Sequence, residues 1–453
     1  MSPDESTEPP RLRHDRVAWW ALLAGVYLRV MPMMIWQYGA CVRDECGYIL
    51  LAKSLLAGEG LVPTGSGWLW APGYPALLAA HSWAFTTPFA AKGLQVVASF
   101  VGMILAYHLA GQVGGRRGAR VSIWLSALSP TLAFFTTMLW SEAIYTPLLL
   151  GALAALGWAR RGGGARALAP GALVGLCVLF RGVATYMLPI FAVGLLWERW
   201  REKRAWTGAL ALGLGAALVV GPYSLHATER WGGTVISDRT LGQMMWLGNN
   251  DFAPMTFDYG NGALSTRQYA TAAAMGRRHC EFNGDPVAWD ACEVKAGVDW
   301  IRQNPTVFLQ RVPVRLAQIL NPNSFLTRHL RWGKWRGIPE WGVEGLCTLT
   351  VIWSGVAVLL GTLGLYARGR GWLALVTAGV IGYHLAAIAL LAGLSRYRVP
   401  LDALWLVWSA ALIGNVQADL RALWRTPWRM VGCLLTLAVL APLMFRYLSE
   451  GFK

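Results

Sequence analysis

Long apolar runs broken by short polar segments dominate the chain. Set against the ~20 residues a helix needs to cross the hydrocarbon layer, they predict eleven spans, several of them shorter than that length. The spans fall at 17–36, 92–111, 118–139, 143–159, 167–180, 183–197, 205–222, 346–366, 371–392, 398–414 and 428–446. One more apolar run, 71–88, is read as interfacial or re-entrant, because counting it as a span would invert everything after it and expose the arginine-rich loops. After the first span a different period sets in. Tyr48, Leu51, Ala52, Leu55 and Leu56 recur at i, i+3, i+4, i+7 and i+8, while Lys53 and Ser54 fall elsewhere. This predicts a helix from the stretch Arg43-Asp44-Glu45-Cys46-Gly47-Tyr48 to about Ala57, lying on the membrane with one face in lipid.

Composition turns this pattern into a class. With 453 residues, 55% apolar and 14% charged, and a mean hydropathy of +0.41, the chain is too hydrophobic for a soluble globular protein. It reads as an all-α polytopic membrane protein. The 25 Trp suit the water–lipid boundary and the 51 Gly suit closely packed spans. A net charge of +16 raises nucleic acid as a partner, but the charge clusters in short loops, where it is an orientation signal instead. The basic segments 11–16, 116–120, 160–166, 199–204, 368–370 and 421–429 are all expected in the cytoplasm. Residues 1–16 are then a cytoplasmic N-terminus, expected to be disordered, since residues 1–10 are polar and hold three Pro. No cleavable signal peptide is expected, because the first apolar segment carries Arg29.

On this topology residues 17–222 form an N-terminal transmembrane module whose first external loop is 37–91. Residues 223–345 form a second external region and 346–453 the C-terminal transmembrane helices. Within 223–345 a helix is expected from about Asp285 to Gln303, stopped by Asn304-Pro305, as part of a small helical cap. Cys41, Cys46, Cys280 and Cys292 fall outside, and Cys280 with Cys292 is either a disulfide or two free thiols. No Cys/His spacing suggests a structural metal site.

The polar residues near span ends each carry two readings. Asp44 and Glu45 sit where a helix N-terminus favours negative charge, so capping explains them. Chemistry explains them too, since adjacent carboxylates at a membrane surface are costly unless they face water, a cation or a substrate. Glu142, between two apolar runs, is a solvated turn beside a capping Ser141 or part of a site. Arg181 either snorkels to the surface or borders a pocket. Arg396 and Arg398 either anchor a span or bind a lipid phosphate through paired hydrogen bonds, and their place on the side where positive charge is disfavoured speaks for phosphate. The turn Trp68-Leu69-Trp70-Ala71-Pro72-Gly73-Tyr74-Pro75 suits sugar rings, headgroups or an interfacial aromatic belt. Asn249-Asn250-Asp251 fits sugar hydroxyls or a loop cap, and His81, His226 and His384 are given no role.

In order along nearly the whole chain, these pieces resemble the GT-C superfamily of polyprenyl-phosphate-sugar-dependent glycosyltransferases, particularly the bacterial family 39 proteins. Protein O-mannosyltransferases and lipid A aminoarabinose transferases are relatives. Asp44-Glu45-x-x-Tyr48, followed by Ala52, Leu55 and Gly58-Glu59-Gly60, is similar to that family's first-loop acidic motif and amphipathic helix. Ala71-Pro72-Gly73-Tyr74-Pro75 resembles its Pro-Pro-Gly-Tyr-Pro turn, with Ala71 departing from the first Pro. Ser129-Pro130 with Ser141-Glu142 resembles its second-loop acidic site. Gly248-Asn249-Asn250, Trp300-Ile301 to Asn304-Pro305, and Arg396-Tyr397-Arg398-Val399-Pro400 are similar to further family features.

The resemblance implies a GT-C fold of about eleven transmembrane helices, with an amphipathic helix in the first external loop and a small helical external cap. It implies a polyprenyl-phosphate-linked sugar as donor, undecaprenyl phosphate in a bacterium, and a lipid, glycan or protein acceptor on the outer face of the cytoplasmic membrane. Asp44 would be the general base of an inverting transfer, with Glu45 and Glu142 orienting the acceptor or tuning the base. Arg396 and Arg398, then Lys53 and Arg181, would hold the donor phosphate. Tyr48, Tyr74, Tyr397, Asn249 and Asn250 would contact substrate. No cofactor is assigned, and a divalent ion is left open with no ligands named. The alternative from another class is a lipid or glycan transporter or flippase, and a third is a non-catalytic assembly subunit. No internal repeat is evident and the polar residues gather at one surface, which favours an enzyme.

Overall fold

The structure is a computed structural model that describes residues 12–39, 41, 44–62, 68–251, 253, 280–322 and 325–445. Up to residue 11, the N-terminus expected to be disordered lies outside the described residues. Helices make up almost all of the described chain. Its one ladder pairs Gln37–Tyr38 antiparallel with Trp335–Arg336.

Seven helices are long and apolar enough to cross a membrane: Arg16–Ile35, Ala91–Leu128, Glu142–Gly162, Lys203–Trp231, Glu340–Arg368, Gly371–Leu390 and Pro427–Phe445. Counting Ser395–Ile413 with Val416–Trp424, bent by 93°, as a single span makes eight. The polytopic helical fold is therefore as expected, while the count of eleven is not reached among the described residues. Two local features account for the difference. The expected spans 92–111 and 118–139 fall in the two arms of Ala91–Leu128, counted above as one helix although it turns back at Gly115 with φ 63° and ψ −162°, a conformation that glycine adopts without Cβ strain. The expected spans at 167–180 and 183–197 are helices Gly164–Phe180 and Gly182–Leu196, both of which fall short of crossing length.

The fold-back at Gly115 is read from contacts. Ser122 Oγ donates to Ala106 O at 3.1 Å, and buried Arg29 in the first helix reaches Ser99 Oγ at 2.7 Å, Ser126 O at 3.0 Å and Ala127 O at 3.1 Å. Residues on either side of Gly115 therefore lie at one level. Pro130 supplies no N–H for the carbonyl of Ser126 four residues earlier, and the Arg29 guanidinium provides the missing donor. A charge inside a span is thus held by the carbonyls that a helix break exposes.

The first-loop helix is Asp44–Leu56, and its apolar stripe does not lie in lipid as the period suggested. Tyr48, Leu51 and Ala52 are buried, and Tyr48 and Ala52 pack on Tyr74, Leu78, Leu139 and Ile144. The covering element is the helix Gly73–Phe85, whose 13 residues extend about 20 Å, too short to cross the hydrocarbon layer. An amphipathic helix buries its stripe against whatever apolar surface lies closest, and here that surface is protein.

In the 223–345 region the expected helix is Pro286–Gln303, with Asp285 accepting from the N–H groups of Val287 and Ala288 and Asn304 at its end. Disulfides join Cys280 to Cys292 and Cys41 to Cys46, leaving Cys177, Cys347 and Cys433 as buried thiols. Val399–Ile413 is buried on all sides from Val399 to Leu412, as a helix apolar all round must be. It is the central post of the bundle, and the turn before it carries Arg396.

Candidate active site

A cavity of about 1040 Å³ opens between the Asp44 helix, the turn at Trp140-Ser141, the turn at Arg181, the 234–253 segment and the Leu391–Pro400 connection. Asp44 and Arg396, 352 positions apart, meet on its wall as an ion pair. Glu142 and Arg181 form a second pair beside it, and Arg396 Nε lies 3.8 Å from Glu142 Oε1, linking the two. Ser141 sits at the junction, its hydroxyl accepting from Tyr48 Oη at 3.2 Å and from Arg181 Nη1 at 3.4 Å. The Arg396 guanidinium lies 4.6 Å from the centre of the Trp140 ring and 5.1 Å from that of Tyr397. Arg181 is 5.0 Å from the same Tyr397 ring. Two carboxylates and two guanidiniums therefore balance in charge, yet Arg396 Nε has no hydrogen-bond partner among the described residues. A guanidinium that lines a cavity beside its carboxylate partner suits an anion able to share it.

Local geometry decides which of the other sequence candidates reach this cavity. Successive helical residues point about 100° apart, so Asp44 faces the cavity while Glu45 turns inward, 1% exposed. There its carboxylate accepts from Lys334 Nζ at 3.0 Å, Leu139 N at 2.9 Å and Tyr38 Oη. Arg396 and Arg398 part company because they lie on a 3₁₀ turn, Ser395–Arg398, where residues two apart project about 120° apart. Arg398 is 1% exposed and faces the bundle. It donates to Leu320 O at 2.6 Å, Asn321 O at 3.0 Å and Ser354 Oγ at 2.7 Å, and pairs with Asp402 at 2.9 Å. Lys53 is exposed on the last turn of its helix, away from the cavity lining.

Tyr48 and Tyr397 line the cavity. Tyr74 is fully buried, its hydroxyl donating to Gln95 Oε1 at 2.7 Å. Asn249 and Asn250 are buried too. Asn249 donates to Leu390 O at 3.0 Å and accepts from Arg315 Nη2 at 2.9 Å, while Asn250 donates to Trp246 O at 2.6 Å. These amides tie the helix Leu241–Gly248 to the end of Gly371–Leu390, and Gly248 is the residue of this motif that meets the cavity.

The structure adds cavity residues that sequence reasoning missed, chiefly Asp238, Arg239 and Asp290. Burial, with Asp290 nearby, pushes the Asp238 carboxyl up to about 6, against hydrogen bonds from Thr240 and the Gly182 N–H. Burial also raises Asp290, opposed by its bonds from the Gly242 N–H and Arg239. Among the described residues Asp238 has no ion pair. No motif marks Asp238-Arg239, which precede the helix Leu241–Gly248, or Asp290, which lies within the helix Pro286–Gln303. For a metal, no group of three or more His, Cys, Asp or Glu gathers among the described residues. Asp44 and Glu142 are each matched by an arginine.

No protein-family model matches the chain, and no curated protein matches it. Solved structures do. The archaeal oligosaccharyltransferase AglB from Archaeoglobus fulgidus, in complex with an inhibitory peptide and a dolichol-phosphate, is similar over 94% of this chain and 54% of its own, with a TM-score of 0.53 and 17% identity. The apo form of the Archaeoglobus fulgidus oligosaccharyltransferase is similar over 96% and 55%, with a TM-score of 0.54 and 15% identity. ArnT from Cupriavidus metallidurans bound to undecaprenyl phosphate aligns over 88% and 76% at a TM-score of 0.37 and 15% identity, too loose a likeness to argue from. This chain spans about half the length of the oligosaccharyltransferase it matches. At such identities the likeness shows the fold alone: the chain shares the polytopic helical fold of the Archaeoglobus fulgidus oligosaccharyltransferase.

Proposed function

We propose that the chain is an integral membrane glycosyltransferase that moves a sugar from a polyprenyl-phosphate donor to an acceptor on the outer face of a bacterial cytoplasmic membrane, with its N-terminus inside. The observation that carries this reading is the meeting of Asp44 and Arg396 on one cavity wall. A carboxylate able to take a proton stands against a guanidinium able to take a phosphate. The archaeal oligosaccharyltransferase of the same fold is in complex with a dolichol-phosphate, itself a polyprenyl phosphate, which accords with such a donor.

In the transfer the acceptor hydroxyl attacks the anomeric carbon and the carbon–oxygen bond to the phosphate breaks on the opposite face, with inversion. The proton of the hydroxyl passes to Asp44 and the electron pair leaves with the phosphate. Arg396, with Arg181 behind it, meets the negative charge that grows on the leaving phosphate and so stabilises the transition state more than the ground state. Without donor, Arg396 engages Asp44. An incoming phosphate takes over that guanidinium and frees the carboxylate to act as base, so the base is released when the leaving group is seated. Tyr48, Tyr397 and Trp140 offer faces and hydroxyls for a sugar. Glu142 keeps Arg181 and Arg396 in place, whereas Glu45, Arg398, Tyr74, Asn249 and Asn250 support the wall from behind.

The test is purified protein in lipid nanodiscs given a polyprenyl-phosphate sugar, with release of the lipid phosphate measured. Asp44→Asn keeps the shape and removes the base, so turnover is expected to fall by about 10²–10⁴ while donor binding survives. Turnover of the Asp44→Asn protein close to wild type would remove Asp44 from the reaction.

A further inference from the structure

A second pocket, of about 250 Å³, lies at the end of the first membrane-crossing helix, lined by Met33, Trp36, Tyr38, Lys92, Thr137 and Trp335 among others. Its walls are fixed by the short ladder that pairs Tyr38 with Trp335 and by Trp335 Nε1 donating to Thr137 Oγ1 at 3.0 Å. Two ammonium groups crowd one ring here. Lys92 Nζ is 3.7 Å from the centre of Tyr38 and Lys334 Nζ is 4.3 Å from it.

Glu45 is the carboxylate within reach, and it is taken by Lys334 Nζ at 3.0 Å. Lys92 makes no ion pair or hydrogen bond among the described residues, and its contacts are the faces of Tyr38 and of Phe89, 5.1 Å away. A ring face attracts an ammonium but accepts none of its three N–H bonds in the ordinary sense. Lys92 is thus a half-buried ammonium that opens on a cavity and has no ion pair among the described residues, in a setting where a counter-charge is strongly favoured.

The surroundings say what kind of anion fits. Met34 and Ile35, part of the pocket lining, are 79% and 56% exposed, and Phe89, beside Lys92, is exposed as well. These side chains belong in or beside lipid, so the mouth of the pocket lies where acyl chains meet headgroups. We propose that it binds the phosphate headgroup of an anionic membrane phospholipid, with Lys92 supplying the charge and Met33, Trp36 and Trp335 the apolar wall beside the glycerol. This is a lipid site separate from the cavity at Asp44, and it does not depend on the activity proposed for that cavity. Basic pockets at membrane boundaries recognise anionic headgroups by this same combination of one fixed charge and an apolar rim.

The experiment is native mass spectrometry of the full chain taken from nanodiscs of equimolar phosphatidylglycerol and phosphatidylcholine. Wild-type protein is expected to retain one phosphatidylglycerol, enriched about tenfold over phosphatidylcholine. Lys92→Gln is expected to lose that enrichment and Lys92→Arg to keep it. Equal retention of the two lipids by the wild type, which needs no variant to fold, would overturn the assignment. So would Lys92→Gln retaining phosphatidylglycerol as wild type does. Displacement of the lipid by millimolar glycerol 3-phosphate would also overturn it, because a soluble phosphate would then satisfy the pocket without acyl chains.

Discussion

Replacing Glu45 separates a positioning role from a chemical one. Its carboxylate accepts from Lys334 Nζ, Leu139 N and Tyr38 Oη, and the side chains of Glu45 and Lys334 are 1% and 5% exposed. Glu45→Ala takes the carboxylate from a buried ion pair and the acceptor from a buried N–H at once. Breaking one side of such a pair costs about 3–5 kcal/mol, and an orphaned N–H costs about 1–3 kcal/mol. These overlap in one relaxed site, so the expected loss lies near 4 kcal/mol rather than at their sum. Glu45→Gln keeps an oxygen for Leu139 and loses only the charge, and is expected to cost about half as much. A detergent-solubilised membrane protein unfolds irreversibly, so the assay compares half-lives at one elevated temperature by fluorescence-detected size exclusion. Glu340→Ala, on an exposed carboxylate, serves as control. If Glu45→Ala survived as long as wild type while lipid-phosphate release collapsed, Glu45 would belong to the chemistry and the positioning argument would be wrong.

Arg396→Ala and Arg398→Ala are expected to diverge. The cavity-facing pair of Arg396 is 15% and 22% exposed, so its loss costs about 1.5–3 kcal/mol of stability while donor affinity falls tenfold or more. Arg398→Ala strips a buried guanidinium from Asp402 and two carbonyls and should cost about 3–5 kcal/mol, as thermal half-lives and donor titration will show. Asp238 sets a pH dependence: its folded pKa, raised to about 6 by burial and by Asp290, exceeds the ordinary value of about 3.9, so the folded state holds a proton that the unfolded state has lost. Stability is therefore reduced as pH rises from about 4 to 6 and stays reduced above it. Asp238→Asn should stabilise the protein at pH 7 and leave it unchanged at pH 4, and equal effects at both would refute the assignment. Thiol titration of the denatured, unreduced chain should find three groups, and of the reduced chain seven.

Much of the cavity was legible because membrane sequences separate charge from hydrocarbon so strictly. In a chain this apolar, Asp44, Glu142, Arg181 and Arg396 stand out at the ends of runs, and one side of the membrane collects them all. The meeting of Asp44 with Arg396 was expected from the roles that the resemblance gave them, base and phosphate holder of one reaction, and not from any local signal. Nothing local joins Asp44 to Arg396, and the choice between Arg396 and Arg398 rests on how the turn Ser395–Arg398 is rotated about its axis, since residues two apart face different ways on a 3₁₀ turn and on an α-helix alike. Glu45 illustrates the same gap: adjacency to Asp44 suggested a shared task, while a rotation of about 100° sends it to Lys334. Asp238 lies in a loop and Asp290 in the helix Pro286–Gln303, and nothing in composition marks either carboxylate as facing a cavity. The amphipathic period of Asp44–Leu56 was correct as a pattern and wrong as to its partner, because a stripe records only that something apolar covers it.

Arg29 shows why the unread part is physical rather than accidental. On the sequence it is a charge within a span, useful only as a sign against a cleavable leader. In the structure it answers Pro130, about 100 positions away, where the break after Leu128 exposes Ser126 O and Ala127 O. Each of these is costly in hydrocarbon alone, and together they cancel. The same logic governs Lys334 with Glu45 and Arg398 with the carbonyls of Leu320 and Asn321. In each case a buried cation is matched from a distant part of the chain. Arg396 and Lys92 stand apart from these cations. Arg396 lines the large cavity, sharing its charge with Asp44 there, and Lys92 lines the small one with no carboxylate partner among the described residues. A cation that the fold holds against a cavity, rather than seals among carbonyls, is placed where an anionic ligand can share its charge.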